Sequence, residues 1–177
     1  MNYTANDVKT LRDNTGAGLL DCKKALNETN GDIAAAEKLL KEKGLAAMAK
    51  RSDRASGEGR IVVKQEGNKV AMVEVTCETD FVSNNADFVA TAEKAAEITF
   101  ANGKSEVTDE HKALIDTISI KFRENMAVRR AAFVEVPAGS VVSTYVHHDH
   151  KIGALVVVKG SDADSVKDFA HVCCLHL

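Results

Sequence analysis

The chain has 177 residues, 45% of them hydrophobic, and a net charge of −3 from 23 basic and 26 acidic side chains. That is enough for one ordinary domain or two small ones, and it supplies no global field to draw the protein onto nucleic acid or a membrane surface. With no Trp, two Tyr and six Phe, a base-stacking platform is not expected, and no apolar run approaches the ~18 residues of a membrane-spanning helix.

The N-terminus, MNYTANDVK, has neither the charged-then-apolar pattern of a secretion signal nor the Arg-rich pattern of a transit peptide. A soluble cytoplasmic protein is the expectation. Cys22, Cys77, Cys173 and Cys174 show no CxxC spacing, so free thiols are expected and not a disulfide frame or a zinc site.

The first fifty residues read as short helices. Thr4 can cap a first helix with Val8 and Leu11 on one face. NTGAG (14–18) breaks it. A second helix over 19–27 carries Leu19, Cys22 and Leu26 at helical spacing. TNGD (29–32) breaks again, and Asp32 opens a third helix with Ile33, Ala36, Leu39 and Leu40 inward. Gly44 is expected to end it, with LAAMAKR continuing as a short separate helix. Such helices are marginal alone and must pack together. SDRASGEG (52–59) reads as a linker and a domain boundary.

The period then changes to two. RIVVKQE, Gly67-Asn68 and KVAMVEVTCE predict a hairpin. Helices are expected over 86–101, with Phe88, Val89, Ala92, Ala95 and Ile98 inward, and over 109–124, with Leu114, Ile115, Ile118, Ile120 and Phe122. Strands return at 127–136, 140–148 and 151–159. The single proline, Pro137, falls between two of them, where it costs no ladder bond. A helix from about Asp164 closes the chain.

Residues 59–80 line up with 139–162: a Gly, an apolar strand, a polar turn, Lys-Val/Ile, a second apolar strand, then Thr/Ser-Asp. The pattern suggests a duplicated unit. The second copy stops inside its helix, so the chain looks cut short there.

GAGLLD (16–21) half-resembles a dinucleotide loop, but a helix precedes it where a strand is required. A tight interhelical turn with Gly16 left-handed is the better reading. No GxxxxGK[ST] loop is present. HHDH (147–150) invites a metal, yet neighbouring residues in a hairpin turn diverge, and His147 serves equally as a surface contact. Cys22 lies on the apolar face of its helix and reads as buried. Lys23 and Lys24, on the outer face of the second helix, form either a solvated face or a docking surface with Leu19 and Leu20 at its edge. No cofactor and no catalytic set are expected.

Thr79-Asp80-Phe81-Val82 remains. Asp80 could cap the next segment while Phe81 folds back as a staple. The repeat places Ala163 opposite Phe81, so the fold permits the aromatic without demanding it. A projecting Phe beside an acid suits an interface, where it fills a partner's pocket.

The segment VKTLRDNTGAGLLDCKKALNETNGDIAAAEKLL (8–40), with TDFV (79–82), ENMAVRR (124–130) and YVH (145–147), resembles the bacterial translation elongation factor Ts family. The resemblance implies a guanine-nucleotide exchange factor for elongation factor Tu, the GTPase that carries aminoacyl-tRNA, with no chemistry of its own. It also implies an α+β fold. A ubiquitin-associated-like three-helix domain (1–54) would precede a core with antiparallel sheet built from two related units, the first over 55–138 and the second, incomplete, over 139–177. Asp80 and Phe81 match the motif that wedges between helices of the GTPase, flanked here by Thr79 and Val82. Leu19, Leu20, Lys23 and His147 match contact positions. The contact expected of Phe122 and Arg123 departs from the family, which commonly has a Gly where this chain has Arg123. The family also continues beyond residue 177 through the rest of the second unit and a coiled-coil insertion. The competing reading is a protein-interaction module without exchange activity.

Overall fold

A computed structural model describes residues 2–177 as seven helices and five strands. The mix of helices and small antiparallel sheets is that of an α+β protein. Helix α1 (Ala5–Thr15) starts at a capping box: the Thr4 hydroxyl accepts from the Asp7 N–H, and the Asp7 carboxylate accepts from the Thr4 N–H. These two bonds satisfy donors that a helix start otherwise leaves orphaned. Gly16, at φ +66°, closes α1 in the left-handed region expected of it. Helices α2 (Leu19–Glu28) and α3 (Ile33–Ala49) follow, α3 capped by the Asp32 carboxylate. Val8, Leu11, Cys22, Ala25, Leu26, Ala36 and Leu40 form a shared core.

Two details of this bundle correct the sequence reading. Helix α3 runs through Gly44 to Ala49 as one element. A Cβ on Gly44 would meet Ile120 Cγ1 at 2.6 Å, so the glycine permits a close approach and does not end the helix. Leu19 does not share the buried face of Cys22 and Leu26; it is exposed, and Ala25 is buried instead.

Strands β1 (Glu58–Glu66) and β2 (Lys69–Cys77) form the predicted hairpin, with Glu66 opposite Lys69 and Gly67 at φ +58° in the turn. Strand β3 (Ala127–Glu135) pairs with the other side of β2, giving the antiparallel order β1-β2-β3. Between β2 and β3 lie a one-turn helix α4 (Asp80–Ser83), α5 (Ala86–Asn102) and α6 (Asp109–Phe122). Val73, Val75 and Cys77 of β2 and Val128 of β3 pack against Phe88, Ala92, Ala95, Ile115 and Ile118. Val89 and Ile98, expected inward, are only half-buried.

Fully buried His111 lies in this core and escaped the sequence reading. It occupies the third position of α6, where its Nδ1 accepts from the Thr108 N–H at 3.1 Å. Its Nε2 lies 3.2 Å from the Ala95 carbonyl oxygen and 2.9 Å from the Thr99 hydroxyl. Both ring nitrogens are thus satisfied, as burial requires. The free edge of β3 is blunted by Ser105, whose hydroxyl accepts from the Phe133 N–H and donates to the Phe133 carbonyl.

Strands β4 (Ser140–Val146) and β5 (Gly153–Lys159) make a second hairpin, and α7 (Asp164–His176) packs on it through Ala170 and Cys174. The turn of this hairpin leans on β1. The Ile61 N–H donates to the His150 carbonyl at 2.8 Å, Lys151 pairs with Glu58 at 2.7 Å, and a Cβ on Gly153 would meet Ile61 at 2.7 Å.

Phe88 has no exposed surface, whereas Phe81 is 86% exposed. Phe88→Ala is expected to lower unfolding free energy by about 3–5 kcal/mol in urea titrations. Phe81→Ala should change it by less than about 0.5 kcal/mol.

Candidate functional site

The end of β2 is held by one carboxylate. Glu124 Oε2 accepts from the Glu78 N–H at 2.9 Å and the Thr79 N–H at 3.1 Å, and Oε1 accepts from the Thr79 hydroxyl at 2.6 Å. In return, Glu78 Oε1 accepts from the Asn125 N–H at 2.6 Å. The Asn125 side-chain amide donates to the Ser52 and Arg54 carbonyls, tying down the segment that leads into β1. Charge-assisted bonds of this kind are stronger than neutral ones and fix orientation.

Thr79 then caps α4, its hydroxyl accepting from the Val82 N–H at 3.4 Å. Four residues of helix have no stability of their own. They hold because Val82 and Ser83 are buried, the Asp80 carbonyl accepts from Asn84 Nδ2 and the Ser83 hydroxyl, and Arg60 donates to the Ser83 carbonyl. Of the four motif residues, Thr79 binds backward into the fold and Val82 packs inward. Asp80 and Phe81 face outward. Phe81 does not staple to the core, and Thr79, not Asp80, is the cap. The nearby Cys77 thiol is pushed up to about 12, first by burial and then by the Glu124 charge. Its Sγ points to the Thr79 carbonyl at 3.2 Å, so it is a packing residue and not a nucleophile.

Helix α6 ends at Phe122, two residues sooner than the periodicity predicts. Arg123 takes φ +57°, and its N–H donates to the Ser119 carbonyl, closing the helix. That left-handed position favours Gly. The guanidinium of Arg123 pairs with Asp21 on α2, one residue beyond the exposed Leu19 and Leu20. Phe122 is half-buried against the central core. Adjacent residues therefore reach in different directions: Arg123 to the α2 start, Glu124 to the base of α4. Lys23 is exposed on the next part of α2.

His147 lies at the far end of β4. Its Nδ1 is 2.7 Å from the Tyr145 hydroxyl, and its ring centroid is 4.2 Å from that of His148. The turn that carries it meets β1 through His150 and Lys151. The Lys151 ammonium is held above its usual range, chiefly by its hydrogen bond to Glu58, with the Asp149 and Asp80 charges contributing. Among the described residues, no three His, Cys, Asp or Glu side chains converge as a metal site requires, and no helix is long and apolar enough to cross a membrane.

Glu124, Asn125 and Glu78 are the residues that sequence reasoning missed. A polar Glu-Asn pair between a helix end and a strand was the available signal, but its partners lie more than forty residues away.

The family model described as Elongation factor TS matches residues 78–177. The chain is 47% identical over 181 residues to the elongation factor Ts of Treponema denticola, covering 99% of this chain and 65% of that protein. It is 43% identical over 192 residues to that of Treponema pallidum, strain Nichols, covering 99% of this chain and 66% of the relative. It is 41% identical over 186 residues to that of Idiomarina loihiensis, covering all of this chain and 61% of the relative. The chain thus spans 61–66% of the length of these relatives. With the whole of its length aligned to proteins of one name and more than half matched by the family model, the chain belongs to the elongation factor Ts family.

Proposed function

We propose that this chain is a guanine-nucleotide exchange factor for elongation factor Tu, acting by insertion of Phe81 between helices of the GTPase domain. The observation that carries the reading is a large aromatic, 86% exposed, on a helical turn whose base is fixed by Glu124. Phe81 enters an apolar crevice of the partner, and Asp80 engages polar groups at its rim. The displaced helix carries the groups that order Mg²⁺ and the phosphate loop, so Mg²⁺ and then GDP are weakened. Thr79 and Val82 hold the wedge. Leu19, Leu20 and Lys23 on α2 and His147 on the second hairpin extend the contact surface.

The same reading assigns residues 1–54 as a ubiquitin-associated-like domain and 55–138 as the first core unit. Residues 139–177 are part of a second unit related to the first. Supporting it, a hairpin leads into a helix in both 58–83 and 140–176. Translation places the protein in the cytoplasm.

Burying one Phe side chain is worth roughly 1.5–3 kcal/mol, or about 10–150-fold in an equilibrium constant. Bound exchange factor and bound nucleotide weaken each other by the same factor, by linkage. The wedge alone is too small for a very large acceleration, so the α2 and His147 contacts must add to it.

Stopped-flow release of a fluorescent GDP from elongation factor Tu tests the reading. Phe81→Ala should fold and lose at least about 10-fold in exchange efficiency, the lower bound for one buried Phe; unchanged acceleration would sink the wedge. Glu124→Ala should cost about 1–3 kcal/mol of stability by stranding two N–H groups. It should also lower exchange although Phe81 is intact, read on the same instrument. The alternative is an interaction module without exchange activity, favoured if deleting residues 1–54 abolishes all binding. The exchange reading expects partial retention in a pull-down.

A further inference from the structure

Resting on the exchange reading above, we infer that the Arg123-Glu124 pair at the end of α6 is the positioning element that aligns Leu19 and Leu20 with Phe81, so that both meet one partner together. Glu124 fixes the Phe81 side, as its bonds to Glu78 and Thr79 show. Arg123 fixes the other side by pairing with Asp21, in the first turn of α2 beside the two leucines.

The last turn of α6 is fitted against glycines of the bundle. A Cβ on Gly44 would meet Ile120 at 2.6 Å, one on Gly16 would meet Lys121 at 3.3 Å, and one on Gly18 would meet the Arg123 guanidinium at 2.9 Å. Ile120 itself packs against the bundle core. Lys121 turns the other way and pairs with Asp87 at the start of α5. An exposed ion pair alone is worth little. Here it acts on a contact where backbone and side chain already meet closely, and it removes the sliding that small residues would permit. Arg123 leaves the helix in the left-handed region, and the two successive side chains reach different elements, Asp21 of α2 and the end of β2.

Conformational preference and alignment then make opposite demands at one residue. A Gly at position 123 would suit φ +57° better than Arg, yet it would release Asp21. Arg123→Gly is therefore expected to keep or raise the thermal midpoint while loosening the bundle against the core. A residue that merely supports stability cannot behave in this way.

The test uses the full chain with spin labels at Lys9→Cys on α1 and Glu93→Cys on α5, both exposed, in a Cys173→Ser background. Double electron–electron resonance gives the distance distribution between bundle and core. The wild-type residues at 21 and 123 should give one narrow distribution that broadens near 1 M salt, where the Debye length falls to about 3 Å. Arg123→Gly should broaden it at low salt and weaken binding to elongation factor Tu about 5-fold, the upper range for an exposed ion pair. Asp21→Arg combined with Arg123→Asp should restore both. A distribution as narrow in Arg123→Gly as in the parent overturns the inference. So does a broadened one with unchanged affinity. If the parent chain fails to speed GDP release, the exchange reading falls by itself. The distances then still decide whether Arg123 pins the bundle.

Discussion

The Glu124 carboxylate is the interaction on which the exposed surface depends. It accepts three hydrogen bonds from Glu78 and Thr79, where β2 ends and α4 begins. Without it, two backbone N–H groups at a strand end would need water, and the one-turn helix would lose its fixed base. A four-residue helix cannot persist on local bonds. Its direction is set from outside, by a residue that follows α6. The fold of the first sheet and the aim of Phe81 are thus one problem, in which Glu124 fixes the base while buried Val82 and Ser83 and the Arg60 bond to the Ser83 carbonyl hold the turn. Because α5 and α6 pack on the sheet, Glu124 arrives at the strand end as a consequence of core packing.

Arg123 extends the same logic toward the N-terminal helices. It closes α6 in a conformation that disfavours it, and it reaches Asp21. Three segments distant in sequence are joined by three consecutive residues, Arg123, Glu124 and Asn125: the start of α2, the end of β2, and the linker carbonyls of Ser52 and Arg54. The second hairpin joins separately, by backbone and charge along β1. The N-terminal bundle and the two hairpins are therefore not beads on a string.

Much of this was legible in the residues where the signal is local. Thr4 and Asp32 announced helix starts, Gly67-Asn68 announced the hairpin, and the switch to a period of two announced the sheet. Gly44 misled because a glycine that ends a helix and a glycine that admits a neighbour look alike in one dimension. Only the approach of Ile120, 76 residues later, tells them apart. Leu19 misled because an apolar residue at helical spacing is normally buried. Glu124 and His111 were silent for a related reason: their partners are set by tertiary packing, and a Glu or His in an α-helical stretch reads as solvated surface. Apart from the family resemblance it carries, the TDFV motif was legible in the residues as an anomaly, an aromatic where the second hairpin's matching position has none.

That anomaly has a thermodynamic meaning. Burying Phe81 within this chain would gain roughly 1.5–3 kcal/mol. The fold forgoes that gain, although the buried Val82 lies one residue away. An exposed Phe on a flexible loop would collapse onto the nearest apolar surface at small entropic cost. On a turn clamped at its base by Glu124 and held by the buried Val82 and Ser83, Phe81 stays in water. Rigidity and exposure therefore depend on each other. The clamp keeps the aromatic in water, and the unspent burial energy is available to a partner with little further ordering cost. Such a surface suits the proposed exchange role, which requires binding strong enough to oppose a nucleotide and release when the nucleotide returns.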